Sequence, residues 1–67
     1  MRSFELDDCE VRRETDKALL VYIEDLDEEA WVPRSVIHDD SEVFDADENS
    51  EGVLAVKMWF AEKQGWV

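Results

Sequence analysis

Six consecutive apolar residues, Ala18-Leu-Leu-Val-Tyr-Ile23, stand between charged segments in this chain of 67 residues. A strand covered on one face alternates apolar with polar side chains, whereas a run apolar on both faces fits the middle of a sheet. The run is therefore the expected centre of the core. It is also the longest unbroken apolar stretch, and it is far too short to span a bilayer.

The neighbouring segments supply further strands. Residues 4–14 read as an opening strand, with Cys9, Val11 and Arg13 on one face and Glu10, Arg12 and Glu14 on the other. Glu14-Thr15-Asp16-Lys17 is turn-type sequence leading into the central run. After it, residues 24–29 form a charged hairpin loop with five acids in six positions, and Ala30-Trp31-Val32 resumes as a strand. Pro33 ends that strand because it has no N–H to donate, and Pro33-Arg34-Ser35 suits a tight or 3₁₀ turn before Val36-Ile37. Residues 39–44 are expected to be another strand with Val43 facing inward. Residues 45–52 form a second acidic loop, closed by Gly52, which can take a positive φ. Val53-Leu-Ala-Val56 is the last strand. Lys57–Gln64 contains good helix formers, with Gly65 placed as the C′ glycine and Trp66 able to fold back on Phe60 or Ala61.

These elements predict a mainly β (α+β) fold: a small five-stranded antiparallel sheet, curled or partly closed, with a short C-terminal helix. The length allows one domain, close to the lower limit for folding without staples, and homodimerisation would be an ordinary way to add core. With 45% hydrophobic residues and three Trp, three Phe and one Tyr, the chain is too apolar for a disordered acidic tail. A single cysteine leaves no internal disulfide and fits a reducing compartment. The first ten residues show no apolar stretch of the signal-peptide kind, so the expected location is the cytoplasm.

Charge is distributed unevenly. Twelve of the 19 acids lie between Glu24 and Glu51, against the single base Arg34, while the flanks carry seven acids and six bases. Nearly all of the net charge of −12 therefore comes from one segment. Such a charge opposes compaction and repels nucleic acid and anionic membranes, so it points to a basic protein partner. The candidate partner-binding residues are Glu24, Asp25, Asp27, Glu28, Glu29, Asp39, Asp40, Glu42, Asp45, Asp47, Glu48 and Glu51. Carboxylates on alternate strand positions stand roughly 6.6–7 Å apart on one face, of the order of the step between successive phosphates. Gathered together, they could occupy a Lys/Arg groove built for DNA. The plainer alternative is a solvated acidic face that serves only solubility.

Other candidate chemistry is weaker. Asp45-x-Asp47-x-Asn49 begins like a calcium loop, but the sixth and twelfth places hold Ser50 and Val56 instead of Gly and Glu, which leaves at most a weak divalent-cation site. His38 and Asp39 are adjacent, so on a strand their side chains diverge. Cys9, among Asp7, Asp8 and Glu10, should have a raised pKa and reads as a small half-buried residue. Trp31 and Phe60 read as core, while Trp66 could anchor an interface. No nucleophile–base pair, metal quartet or phosphate loop is present, so no enzyme activity and no cofactor are expected.

Trp31-Val32-Pro33-Arg34-Ser35-Val36-Ile37 resembles the strand, Pro-Ser 3₁₀ turn and strand found late in SH3-type barrels. With Lys17-Ala18-Leu19-Leu20-Val21 and Trp59-Phe60-Ala61-Glu62, the wider pattern is similar to small acidic phage-encoded proteins of anti-CRISPR and other anti-host types. That resemblance implies an SH3-like, partly open barrel and an inhibitor of a basic DNA-binding host protein. A CRISPR effector subunit is the most specific target it suggests. The chain lacks the aromatic-rich first loop of signalling SH3 domains, which counts against a polyproline-binding groove. The second reading is an SH3-like interaction module that docks through Tyr22, Trp59 or Trp66.

Overall fold

In the computed structural model, residues 3–67 are described; Arg2, one of the flanking bases, lies outside them. Four strands form one open antiparallel sheet: β1 (Ser3–Glu14), β2 (Ala18–Ile23), β3 (Glu28–Pro33) and β4 (Glu51–Lys57), in the order β3-β2-β1-β4. Helix α1 (Met58–Gln64) follows β4 directly. Single 3₁₀ turns cover Glu24–Leu26 and Arg34–Val36. The expected central strand has its expected bounds and sits between β1 and β3, with Leu19, Val21 and Ile23 fully buried.

β1 is long because it is shared. Its middle, Cys9–Glu10, pairs with Ile23 and Tyr22 on one side and with Gly52 and Glu51 on the other. Two irregularities let it serve both neighbours. Between Leu6 and Cys9 it advances three residues while β4 advances two, and Asp8 takes a positive φ of 55°. This shifts the inward phase from Leu6 to Cys9 and Val11. Arg12 is then an extra residue between the pairs Val11–Val21 and Arg13–Leu20. The simple alternation read for residues 4–14 therefore fails at its end. Arg13 does not share the inner face with Val11, and both arginines are exposed.

The expected strand at residues 39–44 is absent, which reduces the sheet from five strands to four. Its backbone instead runs irregularly beside β4, starting from one bridge, Ile37–Val56. Val53 and Ala55 of β4 still find partners there. His38 N–H donates to Ala55 O at 2.8 Å and Glu42 N–H to Val53 O at 2.8 Å. The hydroxyl of Ser41 accepts Ala55 N–H at 3.1 Å, and Oε1 of Glu42 accepts Val53 N–H at 2.9 Å. Side-chain oxygens thus do the work of a strand, which is why polar Ser41 is buried. Val43 faces inward as expected and is fully buried.

The helix ends as its sequence suggests. Gly65 has φ 79°, its N–H reaches Glu62 O, and Trp66 N–H reaches Ala61 O. Those two bonds make a Schellman cap, and Trp66 packs edge-on against buried Phe60 with ring centroids 5.7 Å apart. Two turns of helix depend on such docking, and Phe60 and Ala61 deliver it into the core shared with Leu6, Val11, Leu54 and Val56. Among the described residues, no helix is long and apolar enough to cross a membrane.

Candidate partner-binding surface

Of the twelve carboxylates singled out in the sequence, eleven are exposed and Asp45 is half-buried. The first group follows β2. Glu24 and Asp25 lie on the 3₁₀ turn, and Asp27 ends it with a left-handed φ of 51°. Glu28 and Glu29 were read as loop but open β3, paired with Ile23 and Tyr22. The second group lies along β4. Asp39 borders a depression with Lys57 and His38, Glu42 reaches Val53, and Glu51 begins the strand opposite Glu10.

The sheet brings members of the two groups to one depression. A depression of about 450 Å³ is lined by Glu24 from the first group and Glu51 from the second, together with Asp8 and Glu10 of β1, Cys9, Arg12, Tyr22 and Gly52. Elsewhere the groups diverge, because β2 and β4 leave the middle of β1 in opposite senses. The Glu24–Leu26 turn packs against β1. Residues 45–49 continue past Ser50, which accepts Val11 N–H, towards Glu14. Asp8 and Glu10 were not among the candidates. The signal for them is pairing register, which places Cys9–Glu10 between the start of the first acidic segment and the end of the second.

Several of the carboxylates have internal duties. Oδ1 of Asp45 accepts the N–H groups of Asp47 and Asn49, each at 3.0 Å. Those bonds, the Asn49 one foremost, hold its carboxyl below the usual carboxylate range. The calcium-like spacing is therefore folded as a loop clamp in which Oδ1 of Asp45 is taken up by two backbone N–H groups. Among the described residues, no three His, Cys, Asp or Glu side chains converge as metal ligands. Asp27 accepts the Tyr22 hydroxyl at 2.8 Å, which raises the phenol's pKa. Asp40 pairs with His38, whose Nδ1 accepts the Asp40 N–H at 3.1 Å, so the histidine's partner is Asp40 and not Asp39.

Arg34, the one base of the acidic segment, is spent on the fold. Its guanidinium donates to Glu14 Oε2 at 2.6 Å, to Thr15 O at 3.3 Å and to Phe44 O at 3.1 Å. Glu14 Oε1 in turn accepts Ala46 N–H at 2.9 Å. Together they tie the second acidic loop to the β1–β2 turn. Arg12 bonds Glu10 at 3.0 Å and lies over the Tyr22 ring at 4.7 Å.

Two further expectations need correction. Cys9 is fully buried, not half-buried, at 2% exposure. Burial, with the nearby charges of Asp25, Asp7 and Asp8, pushes its thiol up to about 11. Trp31 is not core but 48% exposed. It pairs with Leu20 while its neighbour Val32 pairs with Leu19, and the inner face belongs to Leu19 and Val32. Trp59 is likewise exposed, its ring edge-on to Phe60. No protein-family model, curated protein or solved structure matches the chain.

Proposed function

We propose that this protein is an acidic inhibitor that occupies the basic nucleic-acid-binding surface of another protein and so denies that surface to DNA. The supporting observation is uncompensated charge. Eleven of the twelve carboxylates are exposed, and among the described residues none of the twelve is in an ion pair with a Lys or Arg side chain. An array of this kind gains charge-assisted pairs and steered association when it meets Lys and Arg side chains. Glu24, Asp25, Glu28, Glu29, Asp39, Asp47, Glu48 and Glu51 make no side-chain hydrogen bond within the fold among the described residues, so they are free to do so. The most specific form, which the sequence resemblance suggests, is an anti-CRISPR protein seated in the DNA-entry or PAM-reading groove of an effector, where Arg and Lys side chains contact DNA.

The test is competition. A purified effector ribonucleoprotein is titrated with labelled target duplex, with and without this protein. Reduced duplex binding that returns as salt is raised supports the proposal. Unchanged duplex binding at low salt removes the anti-CRISPR form. Binding to a basic target that ignores reversal of the acids removes the wider reading too.

A second reading has its own support. Pro33 leads into a 3₁₀ turn at Arg34–Val36, as in the SH3-type pattern, and the chain continues to the Ile37–Val56 bridge. In this reading the sheet is an SH3-like, partly open barrel, and exposed Trp59 and half-buried Tyr22 dock a partner. Binding would then survive raised salt and fail on Trp59→Ala.

A further inference from the structure

The sheet ends at β3, and among the described residues no backbone or side-chain hydrogen bond outside the β2–β3 ladder reaches the main chain of Glu28–Trp31. The outward-facing main-chain groups of that stretch are therefore open to another strand. The opposite edge differs, since Ser41, Glu42 and His38 satisfy Val53 and Ala55 of β4. One edge is thus closed by the backbone and side chains of the chain's own residues 38–42 and the other is left open. Beside the open edge, on the outer face of the sheet, stand exposed Glu29 and Trp31 two residues apart, with half-buried Leu20 and Pro33 next to Trp31.

We propose that β3 is a docking edge that adds an extended segment of a basic partner protein as a fifth strand, with Arg or Lys at alternate positions. The main-chain bonds would supply affinity, and the side chains facing Glu29 and Trp31 would supply selection. Successive residues on one face of an added strand lie roughly 7 Å apart, matching the Glu29–Trp31 step. A basic side chain opposite Glu29 meets a carboxylate, and one beside Trp31 meets an exposed ring face suited to cation–π contact. Charge decides against a second copy as occupant. A second copy offers this edge no basic side chain, since β3 carries none, and pairing two chains of net charge −12 adds like-charge repulsion. This inference shares with the proposed function only the basic character of the partner, because the added strand needs no DNA-binding groove.

The test uses the full chain and an eight-residue peptide of alternating Arg and Val, beside the same peptide with alternate backbone nitrogens methylated. Methylation keeps charge and side chains but removes the N–H groups a strand must donate. We expect the unmodified peptide to shift and protect the amides of Glu28–Trp31 in NMR and hydrogen exchange. Methylation should weaken binding at least tenfold, and Trp31→Ala several-fold. Equal affinity for both peptides, or shifts confined to residues 45–50, overturns the proposal. So does a peptide-free dimer that protects the same amides, which would assign the edge to a second copy. Reversing Asp47 and Glu48 to Lys separates the two ideas. Loss of target binding on that reversal, with methylation tolerated, sinks the added strand and keeps the acidic inhibitor. The opposite pattern keeps the added strand and sinks the inhibitor.

Discussion

Oε1 of Glu42 lies 2.7 Å from the point where a Cβ on Gly52 would sit, and the same oxygen accepts the Val53 N–H at 2.9 Å. Glycine at 52 is therefore fixed twice, by its φ of 127° and by the carboxylate that crosses it. Gly52→Ala should destabilise the fold by roughly 1–3 kcal/mol, since both the backbone and the Glu42 bond must give. Gly65→Ala should cost less, about 1 kcal/mol, because only a left-handed φ is at stake and nothing lies within 4 Å of its added Cβ. Urea unfolding of the two variants checks the order.

Ser41 is the second device closing the β4 edge. Its hydroxyl accepts Val43 N–H at 3.2 Å and Ala55 N–H at 3.1 Å, and donates to Val43 O at 3.0 Å. Ser41→Ala leaves the buried Ala55 N–H without its partner and should cost about 1–3 kcal/mol. Faster hydrogen exchange at Ala55, with Leu19 and Val21 unchanged, would locate the loss at this edge.

Most of the sheet was legible in the sequence, and the misses share a cause. The central run, the 3₁₀ turn after Pro33, the positive φ of Gly52 and the Gly65–Trp66 cap all follow from local rules. Residues 39–44 look like a strand because Val43 and Phe44 carry strand propensity. Polar side chains at Ser41 and Glu42 take over the edge bonds instead, and that exchange leaves no periodic trace. Trp31 reads as core in the sequence, although the register of Val32 against Leu19 puts it outside. The carboxylates were legible as exposed, but their division into two groups that meet at Glu24 and Glu51 depends on the two shifts in β1. Bulges are invisible to a strict two-residue period.

The Arg34–Glu14 pair should matter more for loop order than for global stability. The two side chains are about a third exposed, so screening limits the ion pair itself to at most about 1 kcal/mol. Arg34→Ala also frees Phe44 O and the Glu14 contact to Ala46. The expected result is a small loss in thermal stability with a clear rise in hydrogen exchange at Ala46. Arg34→Lys should not restore protection, because one ammonium cannot span the three acceptors.

Cys9 sets an alkaline limit. Its thiol rises from the ordinary 9.0 to about 11 in the fold, chiefly through burial. Between those values the unfolded chain releases a proton that the folded chain keeps, so this contribution is complete below pH 9 and is lost as pH rises towards 11. The loss should reach roughly 2–3 kcal/mol. Tyr22, raised by its bond to Asp27, acts in the same direction, so the Cys9→Ala variant is the reference. Its stability should fall less steeply over that window. Below pH 9 the native thiol should react slowly with an aromatic disulfide.

The central claim is that the exposed acids bind a basic surface made for DNA. The direct measurement is affinity for a purified DNA-binding target as a function of salt, for the native chain and for a variant with Glu24, Asp25, Asp47 and Glu48 changed to Lys. None of these four side chains has a bond to lose within the described fold, so the variant tests charge alone. The account expects native affinity to fall at least tenfold between about 50 and 200 mM salt, and the variant to bind weakly at every salt. Equal affinity of both chains, independent of salt, would contradict it.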